Sequence, residues 1–318
     1  MTGKEQRERH DSKARRERQE AAKVKAPEGI SGVTTQSLLK AVKAVAKEAN
    51  VSSVLICASS HEIIPAIESV LDTDSCILAA DEDMLTDEVK GKFKRTVDLP
   101  SIHLTRLGQI KVALLLALTR NIIDADDVLI CLAGQPRASH LDTMMLISVK
   151  DELELFTSGA DLLSDDVKPE VFERIVEIAI QLAVEGREGR PVGTMFVIGD
   201  SENVKAHTTQ LVLNPFAGYD ESIRNVLNPD ITETVKEFSS IDGAFIIRGD
   251  GVVESAGTYI QPGGLRVEVP MGLGARHMAA ASITAMTGAI AITVSSSTGT
   301  VRIFRNGNIV MEIERPRL

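Results

Sequence analysis

The sequence has no apolar run long enough to cross a bilayer. The longest, such as residues 112–118 and 289–294, fall far short of the roughly 20 residues a spanning helix requires. Its amino terminus is charged and carries no signal-peptide core, so the expectation is a cytoplasmic protein with no membrane partner. Cysteine is scarce: Cys57, Cys76 and Cys131 fit no zinc spacing, and their odd number argues against a disulfide framework. Each sits in or beside an apolar strand-like run, where a free thiol behaves as a small hydrophobe. An excess of positive charge is missing too. Forty-five acidic against 35 basic residues give a net charge of −10, which disfavours nonspecific nucleic-acid binding by the folded body.

What is present is ordinary globular material. At 318 residues and 43% hydrophobic content, the chain has enough apolar mass for two cores. Residues 1–28 interleave Lys, Arg, Glu and Asp with almost nothing apolar. They cannot build a core, so a flexible, solvated tail is expected. A nucleic-acid or membrane-surface role for this tail is the alternative reading.

From Thr34 the pattern alternates helix and strand. Leu38, Leu39, Val42, Val45 and Ala46 recur at helical spacing. Residues 53–58, 76–80 and 128–133 read as buried strands, and residues 63–71 and 110–118 as helices. This predicts a first α/β domain over 29–164, built on a parallel sheet covered on both faces. Ligands in such sheets bind beyond the carboxyl ends of the strands, here near Ser59, Ser60, His61, Gly134 and Gln135. A cap by Ser60 with His61 in solvent explains the same residues. After a polar break at residues 164–166, Pro169 opens an amphipathic helix. Strands over 194–198, 252–260, 290–294, 301–304 and 309–313, with one that carries Asp242 and continues through Phe245-Ile246-Ile247, then predict a second α/β domain over 165–318, with a mixed sheet flanked by helices.

The second half holds two motifs. Asp242-Gly243-Ala244 is an acid between apolar flanks, where an unpaired carboxylate is costly and should meet a metal, a donor or solvent. A carboxylate capping the next turn is the bland alternative. Downstream, Gly274-Ala275-Arg276-His277-Met278-Ala279-Ala280 places a cation pair where a loop enters a helix, so the helix terminus can reinforce the guanidinium on an oxyanion. Gly272 and Gly274 suggest a tight loop against the sheet.

In this order, with Phe245-Ile246-Ile247, Ala256-Gly257-Thr258-Tyr259-Ile260, and Val294-Ser295 before Thr298-Gly299, the motifs resemble the diadenylate cyclase family, in an archaeal-type two-domain form. The first half, through its element order and the run 127–134, resembles the carboxy-terminal domain of pyruvate kinase. The cyclase resemblance covers about the last 150 residues, the size of one domain. It implies condensation of two ATP into the second messenger cyclic di-AMP, on sites that face each other in a homo-oligomer. Asp242 would be the catalytic residue, holding a divalent metal, Mn²⁺ or Mg²⁺, at the ribose 3′-hydroxyl. Gly243 and Ala244 would be close-approach backbone for the nucleoside. Arg276 and His277, in the Gly274–His277 loop with Ala275, would bind phosphates, as would Ser295, while Gly257 and Ile260 align with adenine-pocket positions. Ile260 reads equally well as core. The sequence departs from the family at Ala275, Met278, Ser296 and Ser297, which replace a Thr, an Arg and paired glutamates. Those losses bear on phosphate and metal binding, and they keep open a non-catalytic adenine-nucleotide or cyclic di-AMP sensor or scaffold as the alternative.

Overall fold

The structure, a computed structural model, describes residues 31–102, 104–136, 138–152, 162–261, 270 and 272–315; the expected tail over 1–28 lies outside them. The amino-terminal half is a five-stranded sheet. Its strands are β1 (Ser53–Cys57), β2 (Cys76–Ala80), β3 (Arg95–Asp98), β4 (Val128–Ala133) and β5 (Thr143–Ser148), ordered β3-β2-β1-β4-β5. The first four are parallel, as expected, whereas β5 runs antiparallel to β4. The short connection 134–142 explains this, since a parallel return needs a longer crossover.

Both faces of this sheet are covered. Helices α1 (Ser31–Ala49), α2 (Ile64–Val70) and α3 (Asp87–Lys92) bury Leu39, Val42, Ile64, Ile67 and Val89 against one face. The other face packs on α4 (Arg106–Thr119), which is buried nearly all round because it also touches the second sheet. The three cysteines lie in β1, β2 and β4, free and buried. Burial pushes the thiol of Cys76 up to about 11 and that of Cys131 up to about 12, so they pack as hydrophobes. Ser60 accepts from the amide of Glu62 at 3.2 Å and His61 is exposed, which is the capping arrangement.

A short helix α5 (Val149–Glu152) follows β5. Helix α6 (Pro169–Glu185) then starts on its proline, whose missing amide costs nothing in the first turn. The seven-stranded second sheet comprises β6 (Thr194–Ile198), β7 (Thr208–Gln210), β8 (Ala244–Ile247), β9 (Val253–Ile260), β10 (Ile290–Val294), β11 (Val301–Arg305) and β12 (Asn308–Ile313), ordered β12-β11-β10-β6-β8-β9-β7. Only β6 and β8 pair in parallel. Helices α7 (Ser201–Ala206) and α8 (Thr232–Phe238) lie in the connections, and α9 (Ala275–Met286) follows β9.

Strand alternation divides the apolar residues of this sheet between its two faces. Phe196, Ile198, Ile290 and Ile292 meet α6 in a cluster that runs on through α4 into the first sheet. Met195, Val197, Ala244 and Ala291 meet Ala280, Ala281 and Ile283 of α9 on the opposite face. The two sheets therefore share one apolar core. Arg120, just past α4, reinforces the junction by pairing with Glu173 of α6 at 2.8 Å and Asp98 of β3 at 2.9 Å.

Candidate functional site

The acid and the cation of the two motifs meet. Nη2 of Arg276 donates to Oδ1 of Asp242 at 2.8 Å. Thirty-four residues separate them in sequence, and they come together because α9 packs across the sheet above β8 and β10. Asp242 is not borne on the strand, as its sequence context suggested. It sits in the turn two residues before β8, with its side chain 83% exposed. Gly243 is the cause: its φ of +108° interrupts extended backbone, so the strand cannot begin before Ala244.

Gly243 has a second constraint. A Cβ there would lie 2.6 Å from the carbonyl carbon of Gly257 and the nitrogen of Thr258. The close approach is thus to strand β9, which by itself requires glycine at this position. Gly257 itself has φ +64° and lies under Val212, whose Cγ2 would be 2.6 Å from an added Cβ. Ala244 and Ile260 are closed off in the core beneath α9. Ile260 is therefore core in this structure, the second of the two readings its sequence allowed.

Arg276 and His277 lie in the first turn of α9, which opens on Gly274 with no side-chain cap. A Cβ at Gly272 or Gly274 would meet nothing within 4 Å among the described residues. Ala275 is exposed beside them, as is Met278. The guanidinium of Arg276 reaches past Gly193, where an added Cβ would lie 3.1 Å from its Nη1 and 3.1 Å from Cβ of Ser296. That brings the Ser295–Ser297 turn to the same mouth. Ser295 is held by its own turn, accepting from the amide of Thr298 at 3.3 Å and lying 3.1 Å from the hydroxyl of Ser297.

His277 is placed differently from its neighbour. It is 8% exposed, with its ring 6.2 Å from that of Phe304 and its Nε2 3.2 Å from Nη1 of Arg302 on β11. Burial, then the charge of Arg302, hold its pKa below the usual imidazole value. Nδ1 of His277 and Nε of Arg276 are buried without partners among the described residues. Arg302 and Glu312, which donates no bond but accepts from Arg302 Nε at 2.5 Å, were not legible as site residues. The only hint is parity, since Arg302 shares its strand face with buried Phe304.

A metal can be held here only sparingly by the protein. Among the described residues no group of three or more His, Cys, Asp or Glu could hold an ion; Asp242 offers one exposed carboxylate. That suits a hard divalent cation that takes its remaining ligands from water and substrate phosphates. No helix among the described residues is long and apolar enough to cross a membrane.

Comparisons with known proteins bear on both halves. Residues 181–309 match the family described as DisA bacterial checkpoint controller nucleotide-binding, and residues 34–157 match the one described as probable sensor domain DacZ_P. A diadenylate cyclase of Methanocaldococcus jannaschii is 42% identical over 200 residues, covering 62% of this chain and 63% of that protein. One of Haloferax volcanii is 37% identical over 199 residues, covering 62% of this chain and 72% of that protein. The match thus spans slightly less than two thirds of the first relative. A crystal structure of a pyruvate kinase from Cryptosporidium parvum is 17% identical with a TM-score of 0.31, over 39% of this chain and 24% of that one.

Proposed function

Because this chain belongs to the diadenylate cyclase family, we propose that it condenses two ATP into cyclic di-AMP and two pyrophosphates. The observation that carries the reading is the convergence of Asp242, Arg276 and the Ser295–Ser297 turn on one open mouth. In the reaction each ribose 3′-oxygen forms a bond to the α-phosphorus of the other ATP. The bond from that phosphorus to the pyrophosphate oxygen breaks, and the hydroxyl proton passes to solvent.

Asp242 is the group that accepts from and aims the 3′-hydroxyl. A divalent cation bound with the nucleotide, Mn²⁺ or Mg²⁺, would lower the pKa of that hydroxyl and offset phosphate charge. Arg276 exchanges its carboxylate partner for triphosphate oxygens, aided by the uncapped end of α9. Ser295 and the amides of Gly274 and Ala275 add neutral donors, and His277 donates from beside Arg276. Adenine lies towards Gly257 and exposed Tyr259 at the β9 edge. Catalysis on this plan comes from positioning and charge neutralisation.

One mouth holds one nucleotide, so the ring needs two copies of the chain with their mouths facing. The amino-terminal half, over 29–164, supports that assembly or senses a metabolite. The test is to incubate the pure protein with ATP and each divalent metal in turn and identify the product by mass. Cyclic di-AMP is the expected product, and ATP binding without turnover would replace the enzyme with a nucleotide sensor. Mixing in Asp242→Asn protomers should then lower activity faster than the wild-type fraction falls. A strictly proportional decline, with subunit exchange demonstrated, would defeat the facing-site arrangement.

A further inference from the structure

A polar row crosses the second sheet beneath α9. Strand register sets Met195 opposite Thr293, Thr293 opposite Arg302, and Arg302 opposite Glu312, so these side chains share one face. Their neighbours on that face in β6, β8 and β10, Val197, Ala244, Ile246 and Ala291, are apolar. Arg302 is largely buried, and its guanidinium joins two partners, Glu312 Oε1 at 2.5 Å and His277 Nε2 at 3.2 Å. Hydrocarbon in the same places would pack without the cost of desolvating a charge, so the row calls for a reason other than stability.

The chemistry of the donors supplies one. A guanidinium carries only N–H groups. Its contact with Nε2 is a hydrogen bond only if that nitrogen accepts, which leaves the neutral ring with its proton on Nδ1. Glu312 fixes the orientation of Arg302 by taking its Nε–H. The depressed pKa of His277, with burial as the largest cause and Arg302 next, agrees with a neutral ring. Nδ1 is the atom left buried without an acceptor among the described residues, and the charge of Arg276 is close enough to act on the same ring.

We infer that Glu312 and Arg302 are positioning residues that hold His277 in its Nδ1-protonated tautomer, so that the ring offers Nδ1–H to a phosphate oxygen of the nucleotide beside Arg276. This rests on the ATP-condensing reading above. Neither residue belongs to the two motifs; Arg302 acts through the ring and not on the substrate.

The test uses full-length protein labelled with ¹⁵N-histidine, with the His277 signals assigned by comparison with His277→Asn. The expected spectrum between about pH 6 and 8, the range spanning the usual imidazole value, shows Nδ1 protonated and Nε2 bare. In Arg302→Met the proton should redistribute towards Nε2 and turnover should drop about tenfold, the scale of one lost hydrogen bond in the transition state. Arg302→Lys should restore the tautomer and most of the turnover, and Glu312→Gln should fall between. A wild-type ring protonated on Nε2 overturns the inference without any variant having to fold. So does an Arg302→Met protein that keeps both the Nδ1-protonated spectrum and wild-type turnover. Wild-type protein that binds ATP but forms no cyclic product would overturn the reaction instead, and the spectrum would still decide the tautomer.

Discussion

The guanidinium of Arg276 rests 2.8 Å from the carboxylate of Asp242, joining the first turn of α9 to the turn before β8. Both groups are partly in water, with Arg276 37% exposed and Asp242 83%, so the pair contributes little to stability. Its significance is placement: it holds the two charged groups at one mouth in a state each can leave when a phosphate and a cation arrive. On the proposed reading, ATP binding separates them.

Replacing Asp242 by Asn should abolish product formation while ATP still binds, because an amide keeps the shape but cannot hold a cation or aim a hydroxyl proton equally well. A loss of several kcal/mol in the barrier corresponds to more than a hundredfold in rate. Quantifying cyclic product and measuring ATP affinity by calorimetry on the same sample checks it. Turnover within about tenfold of wild type would remove Asp242 from the catalytic role.

Arg276→Ala should weaken ATP binding and turnover together, since a phosphate contact made in the ground state persists in the transition state. Unchanged ATP affinity by calorimetry would return Arg276 to the role of a surface partner for Asp242.

Gly243→Ala should destabilise the fold by about 2–4 kcal/mol, from a strained positive φ together with overlap on the facing backbone. The overlap is with Gly257 and Thr258, which a strand pairing holds in place. A thermal unfolding midpoint equal to that of the wild type would show that β8 and β9 can separate at this point.

His277 makes stability depend on pH in a definite direction. Its folded pKa lies below the unfolded imidazole value of about 6.5, so between the two the unfolded chain binds more protons than the native one. Stability from this group is therefore complete above about pH 6.5 and is lost as pH falls through that value towards the native pKa. His277→Gln should flatten this part of the profile in denaturant titrations at stepped pH. An unchanged slope would mean that the ring titrates alike in both states.

Arg120→Ala should cost about 1–3 kcal/mol, because Glu173 is left largely buried without its partner. Urea unfolding would show the loss. If it also splits one transition into two, Arg120 couples the two halves; a stability within a few tenths of a kcal/mol of wild type would make the contact incidental.

Much of the element order is legible because periodicity survives in the buried pieces. The apolar runs of β1, β2 and β4, the helical stripe of α6 and its opening proline, and the Asn306-Gly307 turn between β11 and β12 all carry local signals that the structure matches. The short elements α3, β3, β5 and β7 were not legible. Each has fewer than seven residues; β3 mixes polar with apolar positions and β7 is wholly polar, both being partly exposed. Of the site, Asp242, Arg276 and His277 stood out through their glycine and alanine flanks, whereas Arg302 and Glu312 looked like any alternating charges on a hairpin.

The sequence by itself determined the two-part α/β plan, the family resemblance and the residues that bear charge at the mouth, since these depend on local pattern and side-chain chemistry. Tertiary structure alone decided which of those residues meet. The pairing of Asp242 with Arg276, the burial of Ala244 and Ile260, the backbone contact that requires glycine at 243, and the row running from Thr293 through Arg302 to Glu312 all depend on register between distant strands. They depend also on how α9 lies across them. A sequence lists neighbours along one dimension, whereas desolvation and hydrogen bonding act on neighbours in three.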